Sequence, residues 1–139
     1  MPAISNFLDT NILVYSTTSG AKAVVAQRLM NEPFVISTQA LNEFANVGRR
    51  KLGLMWDQIS RIVEDIAETA ETVVAVEPDM TRTALRLVRH YNLAFYDAVM
   101  LAAALKAGCT NYYSEDLHHG LVIDTKLTIQ NPFREPPFS

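Results

Sequence analysis

Short apolar segments alternating with helical ones predict an α/β fold, doubly wound, with a central parallel sheet of four to five strands and helices on both faces. Three observations carry this expectation. The apolar triplets around Phe7, Val35 and Tyr112 each run into turn or cap residues. The stretches between them carry apolar residues at helical spacing. With 139 residues, 49% of them hydrophobic and 19% charged, the chain can bury one core but not two, so residues 1–139 are expected to form a single domain.

Taken in order, Ile4 to Leu8 reads as a strand that stops at Asp9-Thr10-Asn11, residues of turn and helix-cap type. Residues 21–31 read as a helix halted near Pro33, and Phe34-Val35-Ile36 as the second strand. Ser37-Thr38 supplies a cap for a helix from Gln39 to about Lys51, with Ala40, Leu41, Phe44, Ala45 and Val47 on one face. After Gly53 a further helix spans Trp56 to about Ala70, with Ile59, Ile62, Val63 and Ile66 in register. Thr72 to Val76 is β-branched and strand-like. Asp79 is expected to cap a helix through His90, ended by Asn92. Residues 94–107 form a helix that is apolar almost all round, Asn111-Tyr112-Tyr113 a strand, and Leu127-Thr128-Ile129 another before a proline-containing tail.

Composition narrows the chemistry. The single cysteine, Cys109, makes no internal disulfide, and with three scattered histidines it offers no zinc-ligand spacing. Met1 to Asp9 contain no basic leader, so no signal peptide is expected. The longest apolar run, Leu93 to Leu105, is too short to span a bilayer and contains Asp97, so a cytoplasmic protein without membrane contact is expected. A net charge of −3 disfavours direct phosphate binding, unless acids hold cations that invert the local charge.

The acids themselves point that way. In open parallel sheets ligands bind beyond the carboxyl ends of the strands, and Asp9 and Asp116 follow two such ends. Asp9 can equally be a helix cap, and Asp116 an ordinary loop acid. Asp97 lies in the run FYDAVMLAAAL, where an ionised carboxylate costs several kcal/mol unless paired or metal-bound. A place in the first turn, facing the helix dipole, is its alternative explanation. Glu43 falls at the edge of its helix's apolar stripe, where a glutamate is usually solvated. Carboxylates converging on one pocket suit hard divalent cations, Mg²⁺ or Mn²⁺, and such ions activate water and stabilise a leaving oxygen in phosphodiester hydrolysis. No nucleophile triad and no Gly-rich phosphate loop competes.

Five stretches in this order resemble one family: Phe7-Leu8-Asp9-Thr10-Asn11-Ile12-Leu13-Val14-Tyr15, Ser37-Thr38-Gln39-Ala40-Leu41-Asn42-Glu43-Phe44, Tyr96-Asp97-Ala98, Ser114-Glu115-Asp116-Leu117 and Asn131-Pro132-Phe133. They are similar to the PIN-domain ribonucleases, most closely the VapC-type toxins of toxin–antitoxin pairs. The resemblance implies a Mg²⁺-dependent endoribonuclease with Asp9, Glu43, Asp97 and Asp116 as catalytic, metal-site residues, Asp9 and Asp97 being the principal ligands. It implies that Thr10 or Asn11 orients these groups from behind. It further implies a structured RNA substrate, a cognate antitoxin that covers the site, and a homodimer. The chain departs from close relatives after Leu117, where His118-His119-Gly120 replaces a segment that often brings another acid. Those histidines are phosphate contacts or merely solvated loop residues, and Glu115 is a substitute ligand at most.

Outside the metal site, Arg49-Arg50-Lys51 and the stripe Arg82, Arg86, Arg89 are candidate RNA contacts, though both could be solvated helix faces. Leu52, Leu54, Met55 and Trp56 offer apolar anchors for a protein partner, with Trp56 as plain core the alternative. Two other functions compete. One is a catalytically weak PIN-like module that binds RNA or protein; the other is a dehalogenase-like phosphatase, which needs an aspartate where Asn11 stands.

Overall fold

The computed structural model describes residues 5–134 and contains six strands and six helices. Ile4 and the tail prolines Pro136 and Pro137 lie outside the described residues. The strands are β1 (Asn6–Leu8), β2 (Val35–Ser37), β3 (Thr72–Val74), β4 (Asn111–Tyr113), β5 (Val122–Ile123) and β6 (Leu127–Gln130). The helices are α1 (Thr10–Ser16), α2 (Ala21–Met30), α3 (Thr38–Arg50), α4 (Trp56–Thr69), α5 (Pro78–Tyr91) and α6 (Phe95–Lys106).

The sheet runs β3-β2-β1-β4-β6-β5 and is parallel except for β5, which pairs antiparallel with β6. Helices pack in two groups, α1 to α4 and α5 with α6. The chain steps outward from β1 to β3 and then returns to β4, so right-handed crossovers put the two groups on opposite faces. This is the doubly wound architecture the alternating pattern predicts.

Burial follows the sequence pattern. Phe7, Leu8, Ile36, Tyr112 and Ile129 are fully enclosed in the sheet, and Phe7 stacks on Tyr112 with centroids 5.4 Å apart. α6 buries Ala98 through Ala104 without a polar face. Its sequence therefore reads as apolar all round because it is covered on all sides. Among the described residues no helix is long and apolar enough to cross a membrane.

Two expectations need correction. The sheet has six strands rather than four to five, because Ile123 and Lys126 flank a tight hairpin through Asp124 and Thr125. Both turn residues take left-handed φ, 52° and 56°. That geometry is usually announced by Asn-Gly or Asp-Gly, and a β-branched Thr gives no such signal. Arg86 and Tyr91 hold the Asp124 side chain and so support the turn from outside it. The second correction concerns α5, which is capped at Glu77 and starts on Pro78, so Asp79 lies in its first turn and is not the cap.

Candidate active site

β1 and β4 are neighbours at the point where the direction of chain crossover reverses. At such a switch point the loops leaving the two strands diverge and open a crevice. Register then decides which residues meet. Leu8 pairs with Tyr113, so the next residues along, Asp9 and Ser114, face one another past the strand ends.

Asp9 is the cap of α1, and its Oδ1 accepts the Thr10 amide at 2.7 Å. Its Oδ2 accepts the Ser114 hydroxyl, also at 2.7 Å. Both roles considered from sequence, helix cap and pocket acid, therefore coexist in one side chain. Asp9 is only 7% exposed, and burial is the main force that lifts its carboxyl from 3.8 to about 6. The two hydrogen bonds oppose that rise, while the charges of Asp97 and Glu43 add to it.

The other acids arrive from three different elements. α3 delivers Glu43, whose carboxylate accepts the Thr10 hydroxyl on one oxygen and the Gln39 amide, at 3.1 Å, on the other. α6 delivers Asp97 from its first turn. The amide end of the helix favours a carboxylate there, as the dipole alternative requires. Burial, then the charges of Asp116 and Glu43, still push Asp97 above its usual value. The loop after β4 delivers Asp116, exposed at the rim and held by the Asn11 amide at 3.1 Å. All four line one cavity of about 420 Å³, together with Thr10, Asn11, Tyr15 and Glu115.

Glu115 differs from its neighbours. Lys22 pairs with it at 2.8 Å and the Tyr15 hydroxyl donates to it at 2.9 Å. Burial raises its carboxyl, but those bonds outweigh it and leave the group below the usual range. Its negative charge is already spoken for, which disfavours it as a substitute ligand. His119 has a structural task, its Nδ1 accepting the Asn131 amide at 2.9 Å. Cys109 is buried and its thiol is raised to about 11 by desolvation, so it is no nucleophile at neutral pH.

Three residues around the acids had no assigned role from sequence. Ser114 and Gln39 stand in the quoted motifs, and pairing β1 with β4 in register would have set Ser114 opposite Asp9. Tyr112 is the third. Its ring is fully buried, its hydroxyl has no hydrogen-bond partner among the described residues, and burial with the nearby acids pushes its phenol well above its usual value.

The basic residues are placed unequally. Lys51 lines the acid cavity, whereas Arg49 turns away to donate to the Leu54 carbonyl at 3.2 Å and to cover the Trp56 ring. Trp56 and Met55 are 57% and 65% exposed, so neither is core. Arg86 is committed to Asp124.

The donor set suits a hard divalent cation. Carboxylate oxygens surround the cavity, Lys51 is the one cation among its described lining residues, and Asp9 is ionised only against the resistance of burial. Among the described residues no three His, Cys, Asp or Glu side chains are close enough to cage one ion directly. Mg²⁺ does not require such a cage, since it usually takes one or two carboxylates and fills its remaining positions with water and phosphate oxygens.

A family model described as the PIN domain matches residues 7–119. No curated protein matches the chain. Among solved structures it is similar to the sarcin–ricin-loop-cleaving toxin VapC20 of Mycobacterium tuberculosis, at 25% identity and TM-score 0.64, covering 78% of this chain and 87% of that one. A toxin–antitoxin complex from Klebsiella pneumoniae aligns at 19% identity and TM-score 0.70, over 94% of this chain and 100% of that one. VapBC2 of Rickettsia felis, bound to a promoter DNA fragment, aligns at 16% identity and TM-score 0.59, over 81% and 89%.

Proposed function

The chain belongs to the PIN-domain family, and from that premise we propose that it is a Mg²⁺-dependent endoribonuclease, the toxin of a toxin–antitoxin pair. One observation carries the proposal: four carboxylates from four separated stretches line a single cavity at the switch point of the sheet. A module that only bound RNA would gain nothing by crowding negative charge where phosphate must approach.

In this reading Asp9 and Asp97 are the principal ligands of Mg²⁺, with Mn²⁺ as a substitute, and Glu43 and Asp116 complete the acidic wall. The bound cation would neutralise the scissile phosphate and help to activate water. The protein's own groups do the positioning. Ser114 and the Thr10 amide fix both oxygens of Asp9. The Thr10 hydroxyl and Gln39 fix Glu43, and Asn11 fixes Asp116. Asp97 makes no hydrogen bond to another described residue, so its oxygens remain available to a cation or to the proton of an attacking water. The water oxygen bonds to phosphorus as the bond to the departing sugar oxygen breaks in line. Proton transfer then completes the hydrolysis.

The toxin role and an antitoxin partner are supported by the likeness to VapC-type structures, and a homodimer is part of the proposal on the family resemblance alone. Met55 and Trp56, exposed beside the cavity-lining end of α3, offer an apolar anchor for such a partner. RNA cleavage by the purified chain with Mg²⁺ or Mn²⁺, in parallel with EDTA and with Asp9→Asn and Asp97→Asn, tests the enzymatic reading. Folded variants that cleave as fast as the parent would refute the metal-site assignment. For the toxin role, expression should arrest growth, and a small neighbouring reading frame should relieve the arrest.

A further inference from the structure

We infer that the acid cavity adjoins a phosphate-binding track along α3, ending at Arg50 and Lys51, which holds the RNA backbone away from the cut. This rests on the ribonuclease reading above, and assigns the part of the surface that grips substrate away from the reacting phosphate.

The track follows from helical spacing. Glu43, Asn46, Val47 and Arg50 stand at i, i+3, i+4 and i+7, one face of the helix. Glu43 faces the acids at the start of this face. A second cavity of about 190 Å³ lies farther along, lined by Asn46, Val47, Arg50 and Lys51. Three of those four residues also line the acid cavity, so the two spaces adjoin. Along α3, seven to eight residues at about 1.5 Å each separate the acid end from the basic end, ~11 Å in all. That length places Arg50 and Lys51 beyond reach of the reacting phosphate and in line with a neighbouring one on the same strand.

Charge points the same way. Arg50 and Lys51 are exposed and neither pairs with an acid among the described residues. The C-terminal dipole of α3 accounts for a preference for cations there, but not for their opening onto this groove. Arg49, next in sequence, is spent on the Leu54 carbonyl and the Trp56 ring, 5.3 Å from its centroid. With a divalent cation among the acids, both ends of the groove attract negative charge. A regular polyanion satisfies both at once, whereas a protein partner would need acids at just that separation. The track thus divides the basic run into two residues that bind RNA and one that braces the α3–α4 turn.

The test uses the full chain, a labelled single-stranded RNA oligonucleotide, and the variants Arg50→Gln, Lys51→Gln, their double, and Arg49→Gln. Affinity is measured against salt in an Asp97→Asn background, and kcat and KM in the parent background. Each lost phosphate contact should lower the slope of log affinity on log salt by about 0.7, and the double variant should bind about tenfold more weakly or worse. KM should rise with kcat close to the parent's, and Arg49→Gln should keep the parental slope and KM. A double variant with parental slope and affinity overturns the track. So does a parental slope combined with loss of a protein partner that the parent holds, which would make this a protein-docking face. Equal weakening by Arg49→Gln would reduce the track to an unspecific basic patch. An altered slope in a chain that binds RNA without cutting it would leave the track standing and refute the nuclease reading.

Discussion

Asp9 and Asp124 follow strands on the same sheet, yet the protein treats them in opposite ways. Asp124, in the β5–β6 turn, receives two bonds from Arg86, at 2.7 and 3.1 Å, and one from the Tyr91 hydroxyl at 3.3 Å. Those bonds, the Arg86 pair foremost, hold its carboxyl below 3.8 against a smaller cost of burial. Asp9 receives only neutral donors, and burial lifts it to about 6. Where a carboxylate holds the fold, a cation of the chain neutralises it. At the cavity no described residue supplies such a cation to Asp9 or Asp97, and charge is left to be neutralised from outside. Glu115 shows how local the distinction is, since it lines the same cavity but is paired with Lys22.

Catalysis should break the comparison open most widely. Asp97→Asn or Asp9→Asn should lower the RNA cleavage rate by ~10³-fold, the loss of several kcal/mol of transition-state stabilisation. Asp124→Asn should leave the rate within about twofold once the slight loss of stability is allowed for. Comparable losses in all three would mean the cavity acids have no special part.

Next in size is Ser114→Ala, which removes the hydroxyl bonded to Asp9 and with it an acceptor for the Asn11 side chain and the Asp116 amide. Partners that orient a metal-bound carboxylate are typically worth 10- to 100-fold in metal affinity. Mn²⁺ titration followed by calorimetry should therefore show a shift of that order.

Stability against pH should have opposite signs in the two regions. A raised carboxyl contributes stability below its unfolded value and loses it as pH rises, so in chelator Asp9 should weaken the fold between 3.8 and about 6. A lowered carboxyl contributes above its unfolded value, and Asp124 should weaken the fold as pH falls below 3.8. The surface pair with Arg86 is about half exposed on the arginine side, so its share is only ~0.2–1 kcal/mol. Denaturant titrations of Asp9→Asn and Asp124→Asn against the parent, across pH, read the two slopes. The smallest effect is expected at Thr125, whose φ of 56° suits glycine better than a β-branched residue. Thr125→Gly should change stability by no more than ~1 kcal/mol, in the stabilising direction.

The extent to which the sequence disclosed this arrangement depended on how each signal is written in residues. Strand-and-helix alternation is carried by local apolar periodicity, so β1 to β4, β6 and α2 to α6 were readable within a few residues. The short β5 and its turn into β6 were not, because that turn is supported by Arg86 and Tyr91 from α5. Asp97 declared itself through its apolar surroundings, which is a local property. Glu43 did not, since its position opposite Thr10 comes from the packing of α3 on α1, and only the resemblance to the PIN-domain family singled it out. Ser114 and Tyr112 depend on strand register, and the split among Arg49, Arg50 and Lys51 on which way each side chain leaves one helical turn.

The most direct test of the central claim is the order of thermal stability of the parent and Asp9→Asn, with and without a divalent cation, near pH 7.5. Without metal, the variant should be the more stable, because a carboxyl raised from 3.8 to about 6 costs the ionised parent up to ~3 kcal/mol. With Mn²⁺ the parent should gain stability by mass action and overtake the variant, which gains little. A crossing of the two melting temperatures is the predicted result. A parent that is the more stable in chelator, or equal gains by both proteins in Mn²⁺, would contradict a site whose uncompensated charge is kept for a metal ion.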